Sequence, residues 1–145
     1  MPIDYTKYPP NWKTEIRPRI LERAGNRCEF CKVKNYEIIF RGIYKNIDDY
    51  YHNTEVYQDG DANIFDAETG DFIIQDYEAD IEPLSGNPDQ KAVKVILTIM
   101  HLNHDITDNR DENLKAACQL HHLRYDAKEK ANKRRKKMDI GELFG

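Results

Sequence analysis

Two metal-knuckle spacings lie far apart in this chain, Cys28-x-x-Cys31 near its start and Cys118-x-x-His121 near its end, and they restrict the fold more than any hydrophobic run does. A two-residue gap lets both side chains of a pair turn toward one point. Thiolate and imidazole are the ligands that a closed tetrahedral Zn²⁺ site takes. If both pairs hold one ion, residues 32–117 must leave the first knuckle and return to it. The pattern uses every cysteine, an odd number that argues against a disulfide framework and for metal ligation. The competing reading, three buried thiols and a surface histidine, leaves the paired spacing unexplained. The expected cofactor is a structural Zn²⁺ that ties an N-terminal helix to the last third of the chain and supplies folding energy.

The second constellation is Met100 to Asp126, MHLNHDITDNRDENLKAACQLHHLRYD, which carries four of the five histidines. These side chains bind metals and move protons near neutral pH. His101 leads to an Asn113-Leu114 step and on through Cys118 to the His121-His122 pair. This text resembles the His-Asn-His (HNH) endonuclease family, the ββα-metal fold, whose usual run goes from a histidine through Asn-Leu to Cys-x-x-Cys-His. Family members also commonly open with a helix running into Cys-x-x-Cys. At His121 they usually have cysteine, for which histidine is a competent replacement.

The resemblance implies an α+β fold: a small zinc-stabilised ββα-metal domain with an N-terminal helix and an acidic, β-rich insertion. It implies a metal-dependent endonuclease that hydrolyses DNA, with double-stranded DNA as partner, and leaves 5′-phosphate and 3′-hydroxyl ends. His101 matches the general base. His122 and Asp126 match the ligands of a catalytic divalent ion, be it Mg²⁺, Mn²⁺, Ni²⁺ or Zn²⁺. Asn113 matches the middle letter, whose amide is expected to pin the loop and orient the base; its plain reading is a turn asparagine. Many relatives carry Asp or His just before the catalytic histidine, where this chain has Met100, and a thioether is a poor ligand for a hard cation. His104, Asp105 or water can fill the gap, with His104 the preferred candidate. The departure leaves open an altered metal shell, a narrower metal choice, or a zinc-stabilised nucleic-acid-binding module whose catalytic site is degenerate.

The rest of the chain reads around these motifs as one domain. Residues 1–11 form an arm and residues 12–32 a helix with the first knuckle. Residues 33–92 are the insertion, 93–137 the ββα core and 138–145 a tail. Trp12, Ile16, Ile20, Leu21 and Ala24 recur at helical steps, with Gly25 as stop; Pro18 inside this run predicts a late start or a kink. Strand text appears at 36–44, 62–65 and 72–76, with a hairpin turn at Glu68-Thr69-Gly70-Asp71, and Pro83 to Pro88 reads as loop.

From Asp48 to Asp89 there is no Lys or Arg. That predicts a solvated, partly irregular surface, or one that repels DNA away from the site or docks a basic protein partner. His52 within it has no partner pattern. Ala92 to Met100 reads as a continuous strand whose Val93, Val95, Leu97 and Ile99 face one way, His101 continuing that face toward the final helix. The helix is expected from His121 or His122 to about Lys137, with His122 and Asp126 on one face.

Net charge is −4, yet Arg124, Lys128, Lys133, Arg134, Arg135, Lys136 and Lys137 concentrate positive charge on this helix, where they can neutralise phosphates. The tail offers a second protein-docking segment. No apolar run approaches a membrane span and the start has no apolar signal core, so an intracellular, soluble protein is expected.

Overall fold

The computed structural model describes residues 5–45, 54–84 and 92–144, with the side chains of 5 and 137–144 excluded. Of the loop expected from Pro83 to Pro88, Pro83 instead ends a strand, Ile81–Pro83, and residues 85–88 lie outside the described residues, as do His52 and the side chains of Lys137 and the tail. The architecture is mixed α and β. In chain order the elements are α1 (Arg17–Arg23), β1 (Ile38–Tyr44), β2 (Thr54–Gln58), β3 (Asn63–Asp66), β4 (Phe72–Gln75), β5 (Ile81–Pro83), β6 (Val93–Lys94), β7 (Thr98–His101), β8 (Leu114–Ala117) and α2 (Gln119–Phe144).

The first helical segment starts as a π-turn over Trp12–Ile16 and becomes α-helical at Arg17, with Pro18 in its first turn. The preceding turn closes through Ile16 N–H to the Asn11 carbonyl and Arg17 N–H to the Trp12 carbonyl, and Pro18, which has no N–H to give, marks the change from π to α geometry. Trp12, Ile16 and Ile20 are buried against Ile99, Leu114 and Ala116, with Leu21 and Ala24 packed at the margin.

The described part of the acidic segment supplies β2 to β5 of an antiparallel sheet, joined by turns. Among the described residues the order is β4-β3-β2-β1-β5, and β6 also pairs with β1. Val56, Ile64 and Tyr44 form its own small core. The sheet closes over the first knuckle. Tyr57 Oη donates to the Cys31 carbonyl at 2.7 Å, and the Asp66–Asp71 turn brings Gly70 against that same carbonyl. Gly70 has φ +79, and a Cβ on it would collide with the Cys31 backbone, so only glycine fits on both counts.

The continuous strand expected over 92–100 is divided. Val93 and Lys94 pair with Ile39 and Ile38 of β1, whereas Thr98 to His101 pair with Ala117 to Leu114 of β8 as a separate two-stranded ribbon. Between them the Asn35 side chain takes the Leu97 N–H at 3.0 Å and Arg17 donates to the Leu97 carbonyl at 3.1 Å. These partners satisfy the backbone of a buried segment that leaves one sheet for another. Val95 and Leu97 are fully buried, whereas Val93 is exposed. Each of the two buried side chains contributes about 1.5–3 kcal/mol by leaving water.

The ribbon's orientation is also corrected. Ile99 faces the N-terminal helical segment, and it is Thr98, from the opposite face, that touches α2. Helix α2 runs past Lys137 to Phe144, because nothing in 138–144 breaks a helix strongly and one glycine costs only about 1 kcal/mol. No described helix is long and apolar enough to cross a membrane.

Candidate functional site

Cys28, Cys31, Cys118 and His121 converge. Their ligand atoms all lie within 4.8 Å of one another, and among the described residues they form the one His, Cys, Asp or Glu group that meets this spacing. All three thiols are free and fully buried. Cys31 Sγ and Cys118 Sγ stand 3.8 Å apart, far beyond a disulfide bond. That matches the edge of a tetrahedron with metal–sulfur bonds of about 2.3 Å, which is roughly 3.8 Å. His121 Nδ1 is 3.2 Å from Cys118 Sγ, and its ring stacks on Phe30.

Three thiols packed this closely cannot all ionise alone. Hydrogen bonds from Cys118 and Cys31 hold the Cys28 thiol far down, while Cys31, facing Cys118 and Cys28, is pushed far up. His121 is raised to about 9, first by its hydrogen bond to Cys118. A divalent cation removes this conflict by accepting every lone pair at once. The donor set fits a structural Zn²⁺, with Cys28, Cys31, Cys118 and His121 as its ligands.

Around the thiols stand groups that the spacing did not reveal. Arg41, buried on β1, donates to Cys118 Sγ at 3.4 Å and lies over the Tyr57 ring. A Cys₃His set with Zn²⁺ carries one net negative charge, which this guanidinium offsets. Partners of this kind commonly tune metal affinity by about 10- to 100-fold. Arg41→Met is therefore expected to weaken Zn²⁺ binding by about that factor, measured by competition with a chromophoric chelator. Equal affinity in the variant would remove Arg41 from the site. Glu29 binds the knuckle to β8 through its own N–H to the Ala116 carbonyl and its carboxylate to the Ala116 N–H. Arg23 joins the two by reaching Glu29 and the Leu114 carbonyl.

A second constellation sits between β7 and α2. His101, His104, His122, Asp126 and Glu129 line one cleft of about 310 Å³, together with Tyr8, Lys130 and Lys133. His101 is buried, with its ring stacked on Trp12 at 5.5 Å. Its Nε2 lies 2.9 Å from Asn109 Oδ1, and the Asn109 amide donates to the Ile106 carbonyl, which fixes that oxygen toward the imidazole. Nε2 therefore carries the hydrogen and Nδ1 keeps the basic lone pair.

Asn113 holds the loop as expected: it accepts from the Asn103 N–H and donates to Asn103 Oδ1 and the Asp108 carbonyl. The side chain that orients His101 is Asn109, which corrects the second half of that expectation. Asn109 sits in polar turn text with nothing to distinguish it from its neighbours.

His122 is set by Thr98. The threonine hydroxyl lies 2.6 Å from His122 Nδ1 and holds the ring. That places His122 Nε2 3.3 Å from Asp126 Oδ2. A proton on Nε2 or a bound cation satisfies both atoms. His104, in a left-handed backbone conformation with φ +59, stacks on Tyr125 and faces Asp126 Oδ1 at 3.5 Å and Glu129 Oε2 at 3.8 Å. Met100 is 1% exposed and packed in the core. Asp105 instead caps its own turn through Thr107, which lowers its pKa.

The basic helix is not uniform. Arg124 is paired with Glu55 of β2 at 2.8 Å, so its charge joins the sheet to α2. Lys133 lines the cleft, 3.8 Å from Glu129. Lys128 lies beside His121, Phe30 and Tyr125, while Arg134, Arg135 and Lys136 are exposed. No family model, curated protein or solved structure matches the chain.

Proposed function

We propose that the protein is a metal-dependent endonuclease of the HNH type that hydrolyses DNA phosphodiester bonds. One observation carries this reading: His101 at the end of β7 and His122 and Asp126 on α2, distant in sequence, line the same cleft. A phosphodiester resists water because attack builds negative charge and expels a poor leaving oxygen. Catalysis therefore needs a base for the water and a cation at the phosphate. His101, with Asn109 holding the proton on Nε2, is the base through Nδ1. His122 Nε2 and Asp126 would hold the divalent ion, which supplies Lewis-acid stabilisation of the phosphate and the departing 3′ oxygen. Lys130 and Lys133 at the rim face the substrate backbone. Asn113 keeps the loop bearing Asn109 in place.

The test is nicking of supercoiled plasmid by zinc-loaded protein with added Mg²⁺, Mn²⁺, Ni²⁺ or Zn²⁺. Nicking that depends on the added ion supports the reading. Binding without cutting under every ion overturns it in favour of a zinc-stabilised nucleic-acid-binding module. The burial of Met100, which removes the ligand position that many relatives use, is what keeps that alternative in view.

The exposed run offers a separate check on the partner. Replacing Lys133, Arg134, Arg135 and Lys136 with glutamine should weaken binding to all DNA sequences alike. It should also flatten the dependence of log K on log salt by up to roughly 3.6, at about 0.9 for each phosphate no longer neutralised. A loss confined to one sequence would show that these residues read bases and not backbone. Arg124 is better left out of such a set. Its pair with Glu55 makes any effect of removing it partly structural.

A further inference from the structure

We propose that a pocket beside the thiol cluster takes one unpaired base of the substrate strand and prefers bases that carry an exocyclic amino group. This deepens the nuclease reading and rests on its choice of DNA. The pocket, of about 330 Å³, is lined by Phe30, Glu68, His121, Arg124, Tyr125 and Lys128. Its volume is within the range of roughly 300–1,000 Å³ that ligand sites occupy. The first knuckle, the turn between β3 and β4, and α2 meet there. A smaller depression, bordered by Tyr125 and Lys128 on one side and by His104 and Glu129 on the other, joins it to the cleft that holds His101 and His122. A strand with its scissile phosphate in the cleft therefore has a path over Tyr125 to Phe30.

Phe30 and Tyr125 are both half-buried. Phe30 is stacked on His121 with ring planes 9° apart, and Tyr125 on His104. Tyr125 is further tied by its hydroxyl, which donates to the Leu102 carbonyl. The two rings are thus held in place, and the exposed part of each borders the pocket. Aromatic surface of this kind stacks bases of a single strand, whereas in a duplex each base face is already covered by its neighbours. Glu68 is exposed at the turn and adds an acceptor for N–H donors on a base edge. Cytosine, adenine and guanine carry an amino group that can donate to it, while thymine has none. Arg124 is already held by Glu55. Lys128 is exposed and meets no carboxylate at ion-pair distance among the described residues, which suits it to a strand phosphate.

Fluorescence anisotropy of labelled oligo(dC) and oligo(dT), with full-length, zinc-loaded protein and no added divalent ion, tests this without cleavage. Wild type is expected to bind oligo(dC) at least about 5-fold more tightly than oligo(dT), and Glu68→Ala should abolish that preference. Phe30→Leu should weaken oligo(dC) binding at least about 5-fold with zinc content unchanged; if this variant loses zinc, the Glu68→Ala comparison decides. Lys128→Gln should weaken both strands alike and flatten the dependence of log K on log salt by about 0.7. Equal binding of the two strands by wild type overturns the pocket, as does a preference that survives Glu68→Ala or oligo(dC) binding untouched in zinc-loaded Phe30→Leu. Displacement of oligo(dC) by dCMP at equal nucleotide concentration would make this a mononucleotide site and overturn the strand reading. The two proposals fail separately. A preference that depends on Glu68, without nicking under any ion, supports the pocket and overturns the nuclease. Ion-dependent nicking with no preference between the strands overturns the pocket alone.

Discussion

Removing zinc with an excess of strong chelator is expected to abolish the cooperative thermal transition of this protein, not to lower it by a few degrees. Apparent binding free energies for structural Zn²⁺ in small domains are about 10–16 kcal/mol, whereas the whole stability of a domain is about 5–15 kcal/mol. The site here is placed to make that energy folding energy. Its ligands come from the loop after α1 and from the junction of β8 with α2. The sheet closes over it through Arg41, Tyr57 and Gly70. Without the ion, three buried thiols are left facing one another with no common acceptor.

Cys118→Ser should reproduce the effect, since Cys118 lies at the centre of the cluster, in contact with Cys31, His121 and Arg41. Near-ultraviolet circular dichroism, which reports fixed packing around Trp12 and the tyrosines, is the measurement. An unchanged melting curve after verified zinc removal would mean that the four residues do not hold a structural metal. The same experiment dictates how activity must be measured: nicking assays need protein already loaded with zinc, because chelators remove both kinds of ion.

His101→Ala is expected to reduce plasmid nicking by about 10²- to 10⁴-fold, the usual contribution of a positioned general base, with zinc content retained. Because the His101 ring is buried and stacked on Trp12, His101→Asn is the companion variant that keeps more of the packing. Both should lose cleavage alike if proton abstraction is what matters. Asn109→Leu leaves the imidazole in place but removes the acceptor that fixes its proton on Nε2. A smaller loss, about 10-fold or somewhat more, is expected from a partner of this kind. Wild-type nicking in His101→Ala and His101→Asn would exclude His101 as the base, and wild-type rates in Asn109→Leu would exclude the orienting role.

Much of the site is legible in the amino-acid sequence. The ligands that converge around the thiols are those that the two knuckle spacings single out, because a two-residue gap is a local property that survives whatever the intervening chain does. Asn113 binding its own loop, and His122 with Asp126 on one helical face, follow from local geometry in the same way. The supporting residues are not legible. Asn109, Thr98, Arg41, Glu29 and Glu129 act on partners that the fold brings to them, and each stands in text where an asparagine, threonine, arginine or glutamate is unremarkable. The misreadings have the same cause. Alternation over 92–100 reports which side chains face inward but not which sheet they join, and Asn35 and Arg17 capture Leu97 and split the strand. Within the acidic segment Val56 and Ile64 build a small core with Tyr44, which acidity alone does not report.

The sequence alone therefore determined the ligand chemistry, since thiolate and imidazole at knuckle spacing leave few other uses, and the periodicity of both helical segments. Only the tertiary structure decided that the acidic sheet forms a wall of the thiol cluster, that the Ile99 face of the ribbon meets the N-terminal segment, and that Thr98 and Asn109 hold the rings of His122 and His101. Those features depend on contacts between residues far apart in the chain, and such contacts are set by which buried polar groups find partners once the core has closed.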